Sequence, residues 1–106
     1  FWTKEPDPDY LKQTGQAADD YGTHQSNVQT GVDLGLSLLY TAVSNEDDWD
    51  RYEGLGWQAA ERYAAAHPDD PDVEPLLQTA HKNRDAYLRW GRDCLGWAMY
   101  LFRKPE

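Results

Sequence analysis

Two short apolar runs and two longer amphipathic stretches define the predicted elements of this chain. Residues 36–43 and 97–102 have strand length and are apolar at almost every position, as is typical of strands covered on both faces. Apolar residues recur every three or four positions over about 46–66 and 73–92, which predicts two helices. The predicted fold class is therefore α/β, with two antiparallel edge strands and a helical hairpin between them. A buried helical turn is the alternative for residues 36–43.

Turn and capping residues divide the rest of the chain. Asp7 followed by Pro8 predicts the start of a short helix, and Ser26 is expected to cap another over about 27–33. Residues 1–35 are thus predicted as loop and short helices. The whole chain, residues 1–106, is expected to form one partial domain. Its parts are residues 1–35, the strand 36–43, the helical hairpin 44–95, and the strand and tail 96–106.

The first long helix carries an aromatic stripe. Ser44 stands three residues before Asp47, which is the spacing of a capping box. The residues that recur at intervals of three or four positions, as in an amphipathic helix, are Trp49, Tyr52, Gly56, Ala60, Tyr63 and Ala64. Trp57 lies off this stripe, so we expect it to be exposed or to face a partner. A proline-containing linker over 67–72 makes the two helices antiparallel.

Composition makes an aromatic core necessary. The chain has 11 Leu, 4 Val and 2 Phe but no Ile, and its net charge is −9. So few aliphatic residues with so much charge would favour disorder. Five Trp and seven Tyr oppose this, because each can bury about 150–250 Å². We therefore expect a folded chain with a mostly aromatic core.

Charge and hydropathy exclude several classes of partner. A chain of net charge −9 is repelled by nucleic acid and by anionic membranes. No apolar stretch approaches the roughly 18 residues that a membrane span requires. Phe1 stands where a whole chain has Met, and no signal-peptide pattern follows, so we expect a processed chain or a piece of a longer cytoplasmic protein.

The sequence offers no convincing metal site. Cys94 is the single cysteine, which excludes an internal disulfide and a cysteine-based zinc site, and its apolar neighbours predict a buried, inert thiol. The three histidines are dispersed. The acidic residues at 46–50 and 69–72 lack the EF-hand pattern, and compensation of helix N-terminal charge explains both clusters better.

The two predicted strands need companions that the chain does not provide. A two-stranded sheet alone is marginally stable in water. The hairpin is expected to cover one face of it, whereas residues 1–35 are too polar to cover the other well. The pattern therefore predicts the edge of a larger sheet.

Five stretches carry a resemblance to a known family. They are Phe1-Trp2 with Pro6, Leu36–Val43, Asp48–Glu53, Asn83–Gly91 and Gly96–Arg103. In their order and their residues these stretches resemble the C-terminal part of class I S-adenosylmethionine-dependent methyltransferases, in a bacterial subgroup with a helical insertion before the last strand. The resemblance implies that residues 36–43 and 97–102 are the sixth and seventh strands of a seven-stranded Rossmann-like sheet.

The same resemblance bears on the cofactor. Family members bind S-adenosylmethionine through a glycine-rich loop and an acidic residue in the first half of the domain. Gly31, Gly35, Gly54 and Gly56 form no such strand–loop–helix unit. S-adenosylmethionine is therefore expected in the intact parent enzyme and not on this chain alone. The implied function is the acceptor-side segment of a methyltransferase, inactive without its cofactor-binding half.

Four residues are candidates for contact with a small-molecule acceptor. By resemblance, His24 lies in a loop where acceptor contacts occur, and with Tyr21 nearby it would orient or deprotonate the acceptor. Trp49 would line the pocket, and Arg89 would contact an anionic or aromatic group. Each also has a structural alternative: an exposed loop histidine for His24, a core aromatic for Trp49, and pairing with the acidic first helix for Arg89. No catalytic residue is identified.

A second hypothesis belongs to another class. The chain would be a stand-alone acidic interaction module without catalysis, which buries its strand edge and aromatic surface by forming a homodimer.

Overall fold

The computed structural model describes residues 1–106 and has the predicted α/β order. Each strand lies within one residue of its predicted position, and the second long helix continues past residue 86 through a π-helical turn. A short 3₁₀ turn, Ala18–Asp20, lies between the first two helices. The elements are α1 (Pro8–Thr14), α2 (His24–Asp33), β1 (Ser37–Val43), α3 (Glu46–Ala66), α4 (Val73–Ala86), the π-helical turn Tyr87–Gly91, α5 (Arg92–Cys94) and β2 (Ala98–Arg103).

The two strands pair with each other and with no third strand. They form an antiparallel two-stranded sheet in which Thr41 lies opposite Tyr100 and Ala42 opposite Met99. A bulge at Leu39 interrupts the register. Since residues opposite each other share a face, Thr41 and Tyr100 lie on one side of the sheet and Ala42 and Met99 on the other.

Helix α2 covers one side of this sheet, and the prediction that the hairpin would do so is wrong. Gly31 of α2 lies against the ring of Phe102, and α2 contacts both strands. The hairpin, which begins at Glu46 directly after β1, instead extends away from the sheet. The predicted cap of α2 is also corrected: Thr23 is the N-cap, and Ser26 completes its capping box from the third helical position.

The opposite side of the sheet is uncovered. Tyr40, Met99 and Leu101 are 68%, 62% and 57% exposed. We call this surface, formed by Leu39, Tyr40, Met99 and Leu101, the open sheet face. The strands are apolar on both sides, as predicted, although this chain covers one side alone.

The hairpin is antiparallel, as expected, but only part of the predicted stripe of α3 faces α4. Ala60 is buried and Trp57 is half-buried, whereas Tyr52 is 72% exposed. Trp57 therefore lies between the helices, contrary to the prediction. The capping box is also one residue later than expected, since the Asn45 side chain accepts from the Asp48 N–H and Asp48 accepts in return.

A small aromatic core joins the N-terminal segment to the end of the hairpin. Its buried residues are Trp2, Tyr10, Ala86 and Cys94, so the predicted aromatic core is confirmed. The Trp2 ring packs edge-on against Tyr10, with centroids 6.2 Å apart. Cys94 is 1% exposed, and burial raises the pKa of its thiol. The prediction that this thiol is buried is therefore confirmed.

The molecule is elongated because the hairpin projects from this core. The radius of gyration is 17.7 Å and the dimensions are 60 × 29 × 22 Å, whereas a compact domain of this length has a radius near 13 Å. None of the helices combines the length and the apolar composition needed to cross a membrane.

Candidate functional site

An aromatic cleft lies where β1 passes into α3. It has a volume of about 360 Å³. Its lining residues are Ser44, Asp48, Trp49, Tyr52 and Trp97. The Ser44 N–H donates to the Trp97 carbonyl over 2.8 Å, which brings the end of β1 and the approach to β2 together. We call this the Trp49 cleft. The carboxyl end of a strand is where open α/β sheets bind ligands.

The rings of the Trp49 cleft meet at steep angles. Trp49 and Tyr52 have centroids 6.3 Å apart and an interplanar angle of 81°. Trp97 is 53% exposed and closes the cleft from the strand side. The Trp49 indole N–H is buried without a hydrogen-bond partner. The arrangement offers flat apolar walls to a ligand, with the Asp48 carboxylate beside them.

An ionic network behind the cleft fixes the first turns of α3. The Asp50 carboxylate accepts from the Tyr87 hydroxyl at 2.7 Å and from Arg92 Nε at 3.1 Å. Arg92 also pairs with Glu46 at 3.1 Å. These bonds, first from Arg92 and then from Tyr87, lower the pKa of Asp50. Burial, followed by the bond to Asp50, raises the pKa of Tyr87.

This network corrects the expected partner of the acidic first helix. Arg89 was expected to pair with it, but Arg92 does so instead. The Arg89 guanidinium is exposed and lies 6.0 Å from the centroid of the Trp90 ring. Because Arg92 follows the π-helical turn Tyr87–Gly91, its side chain points towards α3 while Arg89 points elsewhere.

The first acidic cluster contributes to a helix cap, whereas the second stabilises the turn before α4, whose N-cap residue Asp72 makes no side-chain capping bond. Asp48 belongs to the capping box of α3. Asp70 accepts from the Asp72 N–H at 2.9 Å and from the Tyr63 hydroxyl. No group of three or more potential metal-ligating side chains comes together in the chain.

His24 belongs to a different part of the surface from Trp49. It is the first residue of α2 and half-buried, so its predicted loop position is wrong. Its ring stacks on Phe1 and on Tyr100, with centroids 5.0 and 5.4 Å away. His24 Nδ1 lies 2.9 Å from the Tyr100 hydroxyl. These contacts give the ring a packing role between α2 and β2.

The four predicted acceptor residues do not form one site. His24 lines a groove of about 600 Å³ along residues 1–6, which shares no residue with the Trp49 cleft. Tyr21 packs edge-on against Trp2, with centroids 5.2 Å apart. Arg89 lines neither this groove nor the Trp49 cleft. Their roles in acceptor binding remain predictions.

The sequence analysis missed Trp97 as a lining residue of the cleft. Trp97 precedes β2 and lies two positions before Met99, which belongs to the open sheet face. An alternation of period two starting from Trp97 was therefore the available signal. It was hidden because every residue from 97 to 102 is apolar.

The residues of this chain do not fit the donor site of a methyltransferase. Such a site needs a strand, a glycine-rich turn and a helix in succession. Here β1 passes into α3 through Ser44 and Asn45. Gly35 forms the left-handed turn before β1, with φ of 87°. The Phe102 ring occupies the space beside Gly31. Neither glycine belongs to a strand–turn–helix unit of the kind that cradles a nucleotide.

Comparison with known proteins places the fold. No family model matches the chain. The Uncharacterized protein YjhP of Escherichia coli K12 is 28% identical over 105 residues, which cover 94% of this chain and 41% of YjhP. The crystallographic structure of YjhP matches with a TM-score of 0.87 and 24% identity, over 96% of this chain and 45% of that chain.

Two solved structures of SAM-dependent methyltransferases in complex with S-adenosyl-L-homocysteine match equally well. The protein from Geobacter sulfurreducens has a TM-score of 0.87 and 21% identity, over 99% of this chain and 43% of its own. The protein from Thiobacillus denitrificans has a TM-score of 0.86 and 23% identity, with the same coverage. This chain thus spans less than half of each relative. The resemblance inferred from the sequence is confirmed at the level of the fold: these 106 residues have the fold of part of a Rossmann-like SAM-dependent methyltransferase.

Proposed function

We propose that this chain is the C-terminal, acceptor-side portion of an S-adenosylmethionine-dependent methyltransferase whose cofactor-binding half lies outside these residues. The observation that carries the proposal is the match of 99% of this chain to 43% of a methyltransferase that holds S-adenosyl-L-homocysteine. The open sheet face supports it, because a sheet with one uncovered apolar side has a place for further structure. The parent is proposed to be a bacterial cytoplasmic enzyme.

In this proposal the chain shapes the acceptor pocket. The Trp49 cleft supplies the walls, and the network of Asp50, Tyr87 and Arg92 keeps Trp49 in place. A pocket of this kind contributes to a transfer reaction chiefly through proximity and orientation of the acceptor. The Asp48 carboxylate beside the cleft accepts from the Asn45 N–H as part of the cap of α3, so the role assigned here is positioning.

A thermal-shift experiment with S-adenosyl-L-homocysteine tests this proposal. The chain is produced alone and, in parallel, together with the polypeptide encoded directly upstream of Phe1. We expect S-adenosyl-L-homocysteine to raise the melting temperature of the longer form and to leave the 106-residue chain unchanged. Micromolar binding of S-adenosyl-L-homocysteine by the 106-residue chain would contradict the assignment of the donor site to the upstream polypeptide. A longer form whose melting temperature does not rise would contradict it as well.

The open sheet face also favours a second candidate, the homodimeric interaction module without catalysis. A second copy would then cover Tyr40, Met99 and Leu101 in place of the missing half. Sedimentation of the 106-residue chain distinguishes the two candidates. A stable symmetric dimer with cooperative melting favours the module, and a monomer or a loose aggregate favours the methyltransferase portion.

A further inference from the structure

A single carboxylate lies between two adjoining clefts on the hairpin. Glu53, on α3, lines a cleft of about 250 Å³ towards α4 and another of about 240 Å³ towards α1. Asn83 of α4 lines both as well. The two clefts therefore meet at this pair of side chains, which lie on facing helices away from the Trp49 cleft.

Glu53 has no partner within the chain. It makes no hydrogen bond or ion pair with any side chain, although Asp50, one turn earlier, is bound by Arg92 and Tyr87. No Lys or Arg lines either cleft. Glu53 is half-buried, and this burial raises its pKa. A carboxylate that loses part of its hydration and gains no counter-charge is less stable in its charged form, and a bound cation would offset this loss.

The surroundings of Glu53 suit a cation. Trp57 borders the cleft towards α4, and Tyr10 and Tyr87 border the cleft towards α1. The faces of such rings carry negative charge density and attract ammonium groups. The Asn83 amide oxygen is a further acceptor. Apolar side chains complete the lining, among them Leu76 on one side and Leu95 on the other.

We propose that Glu53 is the anionic centre of a binding site for a small organic cation, a primary ammonium group on a short apolar stem. The ammonium group pairs with the Glu53 carboxylate and donates to Asn83, and the stem lies along the apolar lining of either cleft. The net charge of −9 raises the local concentration of cations around the chain. The site does not depend on the proposed methyltransferase function.

Titration with propylammonium tests the proposal on the 106-residue chain, with 1-propanol as a neutral probe of the same length. The reporter is the NMR signal of the Trp57 indole N–H, which lies beside the cleft. We expect saturable shifts with propylammonium and none with 1-propanol. E53Q should weaken binding about tenfold or more, because a charge-assisted hydrogen bond is lost. The control E74Q removes an exposed charge of the same sign and should change the affinity less than about twofold.

Three results would overturn the proposal. Equal losses for E53Q and E74Q would show that diffuse charge, and no specific site, attracts the probe. Equal shifts with 1-propanol would show an apolar cleft without a need for charge. Tighter binding of Nα-acetyl-lysine amide than of propylammonium would assign the site to a lysine side chain of another protein and not to a free amine. E53Q removes an unpaired, half-buried charge, so the variant is expected to fold.

Discussion

Alanine in place of Gly31 and of Gly56 is expected to change stability in opposite directions. Both glycines lie inside helices, Gly31 in α2 and Gly56 in α3, so helix propensity alone predicts the same gain for each. The difference lies in their surroundings. A Cβ atom at position 56 would meet no atom within 4 Å, whereas at position 31 it would overlap the ring of Phe102.

The expected magnitudes follow from these contacts. Alanine at position 56 should raise the free energy of unfolding by about 0.5–1 kcal/mol, since glycine costs that much inside a helix. Alanine at position 31 gains the same helix propensity, but its Cβ would overpack against Phe102, and overpacking costs about 1–3 kcal/mol. G31A should therefore lower the free energy of unfolding by up to about 2.5 kcal/mol, as Phe102 or α2 moves.

Urea unfolding followed by tryptophan fluorescence measures both variants against the parent chain. G54A serves as a matched control, because its Cβ would be in ordinary contact with Trp57 at 3.9 Å and should behave like G56A. If G31A were as stable as G56A, α2 would not lie on Phe102. The assignment of α2, and not the hairpin, as the cover of the sheet would then be wrong.

Three further expectations concern other parts of the molecule. Arg92 and Tyr87 lower the pKa of Asp50. The contribution of Asp50 to stability is therefore complete above its unfolded-state pKa and is lost as the pH falls through its lower native pKa. D50N should flatten the acid side of a plot of urea midpoint against pH. Cys94 should react with a thiol reagent far more slowly in the native chain than in urea, and similar rates would contradict its burial. L101K should alter the free energy of unfolding by less than about 0.5 kcal/mol, while F102K should abolish cooperative melting.

Much of the element order followed from local signals in the sequence. The strands and the hairpin were predicted because their apolar patterns have clear periods and clear ends. Boundaries at caps were less certain, since neighbouring residues compete for the same role. Asn45 caps α3 where Ser44 was expected, and Thr23 caps α2 where Ser26 was expected. In each pair both side chains can accept a hydrogen bond from the backbone, and only the path of the chain decides between them.

The packing partners were harder to predict than the elements. A strand that is apolar on both sides does not tell which side its own chain will cover. Residues 1–35 have few apolar side chains with which to cover the sheet. Gly31 lets α2 approach Phe102 so closely that few are needed for this cover. Trp57 was misplaced for a related reason. The face of α3 that meets α4 includes polar Glu53, which a search for apolar stripes passes over.

The candidate site was found in part. Trp49 was identified because aromatic residues recur at helical spacing along the first long helix, where they offer apolar walls to a pocket. Trp97 could not be joined to it from the sequence, since 48 positions separate them and the bond between Ser44 and Trp97 closes that distance. His24 was chosen from its position in the family resemblance and Arg89 from its charge, and neither lines this cleft.

The open sheet face connects the sequence pattern with the proposed function. Tyr40, Met99 and Leu101 are exposed in this chain, although their residue types are those of a buried strand. The accessible surface of 7634 Å² exceeds by about 1,500 Å² the value of about 6,100 Å² typical of a folded monomer of this mass. A standard protein interface covers about 800 Å² on each partner, so the excess is large enough for one. The proposed function accounts for the apolar character of both sides of the strands, because in it an additional structure packs on the open sheet face.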